Sequence, residues 1–241
     1  MPARLRWILL VLTVLVASLF VTWRLLAAFD FAYPWLHGLL DIEATVAEYA
    51  PRNEQRRGFE RTDVAEHARL FGAIVDAVRD HGTGLDGIIY RTPEGEPLGR
   101  LLTAAEIQHL QDVARLVSAF ERLGWMSLVL AIALGVAAGL RRERPPSPIA
   151  LLSGFGVVIA AGTAVVFLLG PVEVFYWLHT RVFPPDHQWF FWYEESLMST
   201  LMQAPNLFGA IAVIWLVPAL LLAAGLLAAL IHYLDRRAGP G

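Results

Sequence analysis

The sequence predicts an all-α polytopic membrane protein, with four transmembrane helices and a mixed, mostly helical extracytoplasmic segment between spans one and two. Two observations carry this. The 241-residue chain is 56% hydrophobic and only 17% charged, where a soluble domain holds about 25% charged residues. The deficit is concentrated in four uncharged runs, Trp7–Trp23, Leu123–Leu140, Ile149–Val172 and Ser196–Leu234. An apolar run of about 18 residues crosses a ~30 Å hydrocarbon layer at ~1.5 Å per residue. A water-soluble globular enzyme is thereby excluded.

The elements follow in order. Residues 1–29 form transmembrane helix 1, whose apolar stretch begins after Arg4 and Arg6. It is longer than a signal-peptide h-region, and no clean A-x-A site precedes Phe29, so it reads as a retained anchor. Residues 30–114 are the extracytoplasmic segment and 115–140 transmembrane helix 2, closed by arginines. The turn 141–148 holds three prolines, which break the helix. Transmembrane helix 3 covers 149–170 and ends at Pro171; residues 171–206 form an extracytoplasmic aromatic loop. Transmembrane helix 4 covers 207–234, with Pro218 as an expected kink, and 235–241 is a tail.

Arginine placement orients the chain. The N-terminus, the 141–144 turn and the tail hold seven arginines, whereas the 171–206 loop holds Arg181 alone. The excess of positive charge in cytoplasmic loops puts both termini in the cytoplasm. Arg115 and Arg122 oppose this weakly.

The first outer segment is too polar for membrane, with 15 acidic residues against nine arginines over 30–120. Val64, Ala68, Phe71, Val75 and Val78 recur at helical spacing with Gly82 as a stop. Gly87-Ile88-Ile89-Tyr90 followed by Pro93-Glu94-Gly95 reads as strand and turn.

Thr103-Ala104-Ala105-Glu106 fits a capping box, and no proline follows before Pro145, so this helix continues into span two. His109 lies in its second turn, with Asp112 three residues on and on the same face, placed to hold the imidazole in one tautomer. By itself the spacing fits an exposed His–Asp pair above a membrane helix better. On the same outward side, His179 and Arg181 sit in Phe175–Phe183, followed by Trp189, Phe190, Phe191, Trp192 and Tyr193. An interfacial aromatic belt accounts for the rings but not for the histidine and arginine among them. Of the other histidines, His37 reads as interfacial, His67 and His81 as solvated, His187 as part of a loop turn and His232 as cytoplasmic.

Several chemistries are excluded or unsupported. Net charge −3, with arginine as the sole strong base, gives no basic stripe for nucleic acid. Zero cysteines remove disulfides, thiolate metal sites and thiol nucleophiles. There is no nucleophile elbow, zincin helix or P-loop. The spacing of His109, His179 and nearby carboxylates gives no support for a metal site beyond ligand type.

The pattern resembles the bacterial integral-membrane family that contains the lipoprotein intramolecular transacylases. That family has four spans, a polar segment after the first, and E-I-x-H-[ML]-x-D-V before the second, here Glu106-Ile107-Gln108-His109-Leu110-Gln111-Asp112-Val113. After span three it has a Phe-rich stretch with a histidine, then a tryptophan, then Leu-Ile/Met…Pro…Phe. Here these are Phe175, His179, Phe183, Trp189, Leu201-Met202, Pro205 and Phe208. Leu110 replaces a common methionine, Arg115 alone represents basic residues after D-V, and residues 40–100 show no match.

The resemblance implies a bacterial inner-membrane enzyme acting on a lipoprotein with a diacylglyceryl-modified N-terminal cysteine. It would move the sn-2 acyl chain to that cysteine's own α-amine, giving a lyso-form lipoprotein without cofactor or metal. Because amine and ester belong to one molecule, positioning supplies an effective molarity of up to about 10⁵ M or more. The amine, with a pKa near about 8, needs only a modest base. Under this reading His179 is the base and His109 the oxyanion stabiliser or acid, with the reverse assignment open. Asp112 steers His109, Arg181 and Tyr176 are supporting donors, and Phe175, Phe183 and Trp189 bind substrate. A different class of function is a non-enzymatic membrane protein whose outer segment binds an envelope partner; it expects the two histidines far apart. If span two begins at Leu123, His109 stands about 21 Å higher along the helix, so the helix is expected to enter the bilayer earlier, with Arg115 and Arg122 snorkelling.

Overall fold

The computed structural model describes residues 2–141 and 145–238; residues 142–144 of the expected turn and 239–241 of the tail lie outside the described residues. Among the described residues three helices, α1 (Ala3–Ala27), α5 (Ala104–Leu140) and α9 (Asn206–Ala238), are long and apolar enough to cross a membrane. A fourth span is added if α6 (Pro148–Leu169) and α7 (Pro171–Val182) are counted as one broken span. The protein is a polytopic membrane protein. It divides into two units, one of residues 1–25, 120–171 and 213–241, the other of 26–119 and 172–212.

In the first unit α1, the apolar part of α5 and α9 share a core of Trp7, Leu10, Val14, Ala131, Ala138, Ala223, Leu227, Ile231 and Leu234. Alanine dominates the α5 contribution, as expected where association in lipid depends on close van der Waals approach. Gly124 is the most closely packed of the described glycines in this unit: a Cβ there would lie 2.2 Å from Phe20 Cγ. Nearby, Trp215 Nε1–H donates to the Leu19 carbonyl at 2.8 Å, and the Trp215 ring packs on Trp23 and Phe120. Arg24 pairs with Glu121 at 3.1 Å. Large apolar side chains remain outside, Phe167 and Leu168 among them at 85% and 84% exposure. Such a surface suits lipid and not water. Helix α9 runs without interruption through Pro218.

The second unit contains α2 (Tyr33–Leu39), α3 (Ile42–Tyr49), α4 (Val64–Arg79), strands β1 (Ile89–Arg91) and β2 (Pro97–Arg100), the start of α5, α7, and α8 (Leu197–Met202). The strands pair antiparallel with Tyr90 opposite Gly99, so the expected strand and turn form a hairpin. Helix α4 matches its predicted length, and Asp63 caps it by accepting from Glu66 N at 2.8 Å. Its buried face differs. Val64 is exposed, and the buried stripe runs His67, Leu70, Phe71, Ile74, Val75 and Val78.

Glu66 explains part of the shift. Its carboxylate accepts two bonds from Arg69 at 2.6 Å and one from Arg91 N at 2.8 Å, docking the hairpin against α4. On the other side Tyr33 stacks on Phe71 with ring centroids 4.2 Å apart and donates from its hydroxyl to the Leu201 carbonyl at 2.8 Å. The 171–206 stretch, expected as a loop, holds two helices. Gly170, at φ +88°, breaks α6, and Pro171 then opens α7 at a first-turn position where its missing N–H costs nothing.

Candidate functional site

The capping box forms as its residue types require. Glu106 N–H donates to Thr103 Oγ1 at 3.1 Å and Thr103 N–H donates back to Glu106 Oε2. The other Glu106 oxygen accepts from the Ser196 hydroxyl, and Ser196 Oγ in turn accepts from Ser199 N at 2.9 Å, capping α8. One fully buried carboxylate thus joins the starts of α5 and α8. This places His109 one turn into α5.

His179 lies near the end of α7. Its Nδ1 is 2.8 Å from the Phe175 carbonyl, which can only accept. Nδ1 therefore carries the hydrogen, and the neutral ring presents a bare Nε2. The His109 ring centroid is 6.3 Å from that of His179. His109 Nδ1 is buried without a hydrogen-bond partner among the described residues. An orphaned lone pair is cheaper there than an orphaned N–H, so the His109 hydrogen belongs on Nε2.

Aromatic rings enclose the pair. Phe183 stands 4.8 Å from His109 and 5.2 Å from His179, Phe191 6.0 Å from His109, and Phe175 and Trp189 3.9 and 5.0 Å from His179. Both histidines precede or follow the apolar runs and lie outside them. Burial among these rings pushes the His109 imidazole down to about 4, with the neighbouring His179 adding to the effect. Burial likewise lowers His179, against the partial support of its bond to the Phe175 carbonyl. Both rings are neutral at pH 7. A neutral acceptor and a neutral donor side by side can take a proton and stabilise a developing anion.

The supporting residues are distributed differently from the sequence reading. Tyr176 joins the ring cluster through Trp189, 5.6 Å away. Asp112 does not hold His109. Its two oxygens are taken by Arg115, one turn on, and by His187 Nδ1 at 2.7 Å. A shared helix face puts two residues within reach but cannot say which third group competes for the carboxylate. Arg181 is exposed, two positions past His179 and so on the opposite side of α7; it makes no ion pair among the described residues.

The membrane integral lipoprotein intramolecular transacylase Lit from Bacillus cereus matches with a TM-score of 0.68 and 14% sequence identity, covering 97% of this chain and 96% of that one. A histidine-to-arginine variant of Lit matches at 0.64 with 15% identity, covering 97% and 92%. The chain has the Lit fold. No protein-family model matches it, and comparison with curated proteins gives no match. The Lit fold is thus reached here through a sequence that shares about one residue in seven with it.

Sequence reasoning missed three features. His187 gave no signal beyond its residue type. The Glu106–Ser196 link was half visible, since the capping box named Glu106. His67, read as solvated, is fully buried and lies 3.0 Å from buried His37, itself read as interfacial. The signal for His67 was its place one helical turn before Leu70 and Phe71. His81, also read as solvated, is exposed and contacts Ser118 at 2.8 Å.

Proposed function

We propose that the protein is a membrane transacylase. It moves the sn-2 acyl chain of a diacylglyceryl-cysteine lipoprotein to that cysteine's own α-amine, giving the lyso-form. The observation that carries this reading is the convergence of His109 and His179, 6.3 Å apart between ring centroids, with complementary tautomers. The Lit fold supports it, because the solved protein of that fold is a lipoprotein intramolecular transacylase.

In the proposed step the amine nitrogen attacks the ester carbonyl while His179 Nε2 accepts its proton. His109 Nε2–H donates to the oxyanion, a role in which a single donor is worth about 10²–10³ in rate. Collapse breaks the bond to the glycerol oxygen, which takes the proton and leaves as a free hydroxyl. An amide has formed and an ester has broken, and no acyl-enzyme is needed. Phe175, Phe183 and Trp189 border the acyl chains, and Asp112 acts by positioning. The orientation proposed with it places both termini in the cytoplasm and residues 30–114 and 171–206 outside the bacterial inner membrane.

The reading in which the outer segment merely binds an envelope partner expected the two imidazoles on separate surfaces, and their separation gives it no support. The test is expression in a strain that accumulates diacylated lipoproteins, with mass spectrometry of their N-termini. Lyso-form lipoprotein should appear with the wild-type chain and be lost with His109→Ala and with His179→Ala. Full activity in both variants would overturn the proposal.

A further inference from the structure

Away from the imidazole pair, the second unit gathers another set of ligand-type side chains. His37 in α2, Glu43 in the first turn of α3 and His67 in α4 place one ligand atom each within 4.8 Å of one another. Both histidines are buried, at 3% and 0% exposure, while Glu43 is exposed and gives the cluster a solvent side. We propose that these three residues form a binding site for a divalent transition metal, best suited to zinc, with water completing the coordination.

The hydrogen-bond chain fixes which atoms are available. The Thr62 hydroxyl spends its one hydrogen on the Phe59 carbonyl at 2.6 Å. At 2.8 Å from His67 Nε2 it must therefore accept, so the His67 hydrogen is on Nε2. The bare Nδ1 then faces His37 Nε2 at 3.0 Å. A ligating imidazole characteristically donates its other N–H to a fixed acceptor in this way. Two nitrogens bound tetrahedrally at about 2.0–2.1 Å would stand about 3.3 Å apart, so little movement is needed. The third ligand is an exposed side chain free to swing inward.

Charge and chemistry agree with a cation. Asp41 and Glu43 act electrostatically on His37, and Asp63 and Glu66 on His67. Two imidazoles with one carboxylate suit zinc and its neighbours in the first transition row, not calcium or magnesium. Without metal the same atoms make a relay from His37 through His67 and Thr62 to the Phe59 carbonyl. With metal, α2, α3 and α4 are fastened at one point.

The test uses the tag-free full-length chain in detergent, stripped with chelator and then equilibrated with zinc chloride. Bound metal is counted by plasma mass spectrometry and thermal unfolding is followed in parallel. About one zinc per chain should be retained, and saturating zinc should raise the unfolding midpoint by roughly 5 °C or more. Glu43→Gln, at an exposed position, should weaken zinc binding about tenfold or more, and His37→Gln should abolish it. His109→Ala/His179→Ala should retain the metal, which separates this site from the proposed reaction. Failure of the wild-type chain to retain zinc would overturn the site. So would unchanged affinity in both Glu43→Gln and His37→Gln, or loss of zinc in the His109/His179 double variant.

Discussion

His187 Nδ1 lies 2.7 Å from Asp112 Oδ2, and this contact ties the stretch carrying Phe183, Trp189 and Phe191 to the helix carrying His109. Asp112 is a fastener of the aromatic wall, one step removed from the proposed reacting groups. Its side chain is 4% exposed, and Arg115 takes its second oxygen.

The consequence is a distinctive mutational pattern. A carboxylate that fixed the tautomer of a catalytic imidazole would cost about 10⁴ in rate when neutralised. Displacing a wall costs no more than about 10². Asp112→Asn and His187→Gln are therefore each expected to lower lyso-lipoprotein formation by at most that smaller factor. The double variant should be little worse than either single one, because both remove the same contact. Rates measured in a reconstituted assay of the four proteins give the answer; additive losses would separate the two residues.

The acid limb of the proposed activity should follow from His179. As the proposed base it must be neutral, and burial holds its pKa below the usual imidazole value. A lowered pKa keeps the ring unprotonated to more acidic pH, so the acid limb of kcat/KM belonging to the enzyme should fall below about pH 6.5. Phe175 cannot be tested through its carbonyl, but Trp189→Ala opens the His179 environment to water and should move that limb upward. The substrate amine titrates near about 8 and is common to both proteins, so the difference between the two profiles isolates the histidine.

Stability should depend on pH through a different histidine. Burial first, and His37 second, push His67 down to about 4, with Asp63 and Glu66 opposing. His37 is also lowered by burial, against Glu43 and Asp41. The unfolded chain, with imidazoles near about 6.5, binds more protons in the interval between. Stability is thus fully present above about pH 6.5, falls as the pH drops toward 4, and levels off below it. The His67 contribution is about 3 kcal/mol. Chemical unfolding at pH 7.5 and 5 in the wild type and His67→Gln checks this. His109 acts in the same interval, and His109→Gln provides its separate share.

These cases show where the sequence was legible. Thr103 and Glu106 announced the start of α5 because a capping box is local chemistry, complete within four residues. The hairpin at 89–100 and the length of α4 were legible for the same reason, as were the apolar runs. The partner of Asp112 was not, since His187 is 75 positions away and reaches it only through the packing of two aromatic segments. The buried face of α4 was misread at its first turn. Periodicity marks a stripe but gives no way to prefer Val64 over His67 until Thr62, Phe59 and His37 are seen to satisfy the imidazole. Helix α7 was hidden because Pro171 was read as a stop alone, although proline also begins helices.

Three glycines of α5, Gly124, Gly135 and Gly139, should respond differently to replacement by alanine. Exchanging glycine for alanine inside a helix ordinarily gains up to about 1 kcal/mol. At Gly135 and Gly139 an added Cβ would meet its nearest neighbours at 3.9 and 3.7 Å, ordinary contact distances. Both alanine variants should therefore be neutral or slightly stabilised. At Gly124 the added carbon would fall 2.2 Å from Phe20 Cγ and 2.6 Å from its Cβ, atoms close to the α1 backbone that no rotation of the ring tip can remove. Overpacking there should outweigh the propensity gain and cost about 1–3 kcal/mol. Thermal unfolding in detergent should show a lower midpoint for Gly124→Ala alone. Phe20→Ala should cost less in that variant than in the wild type, because the two changes compensate in volume. If Gly124→Ala matches Gly135→Ala, α1 and α5 do not approach each other at this point as described.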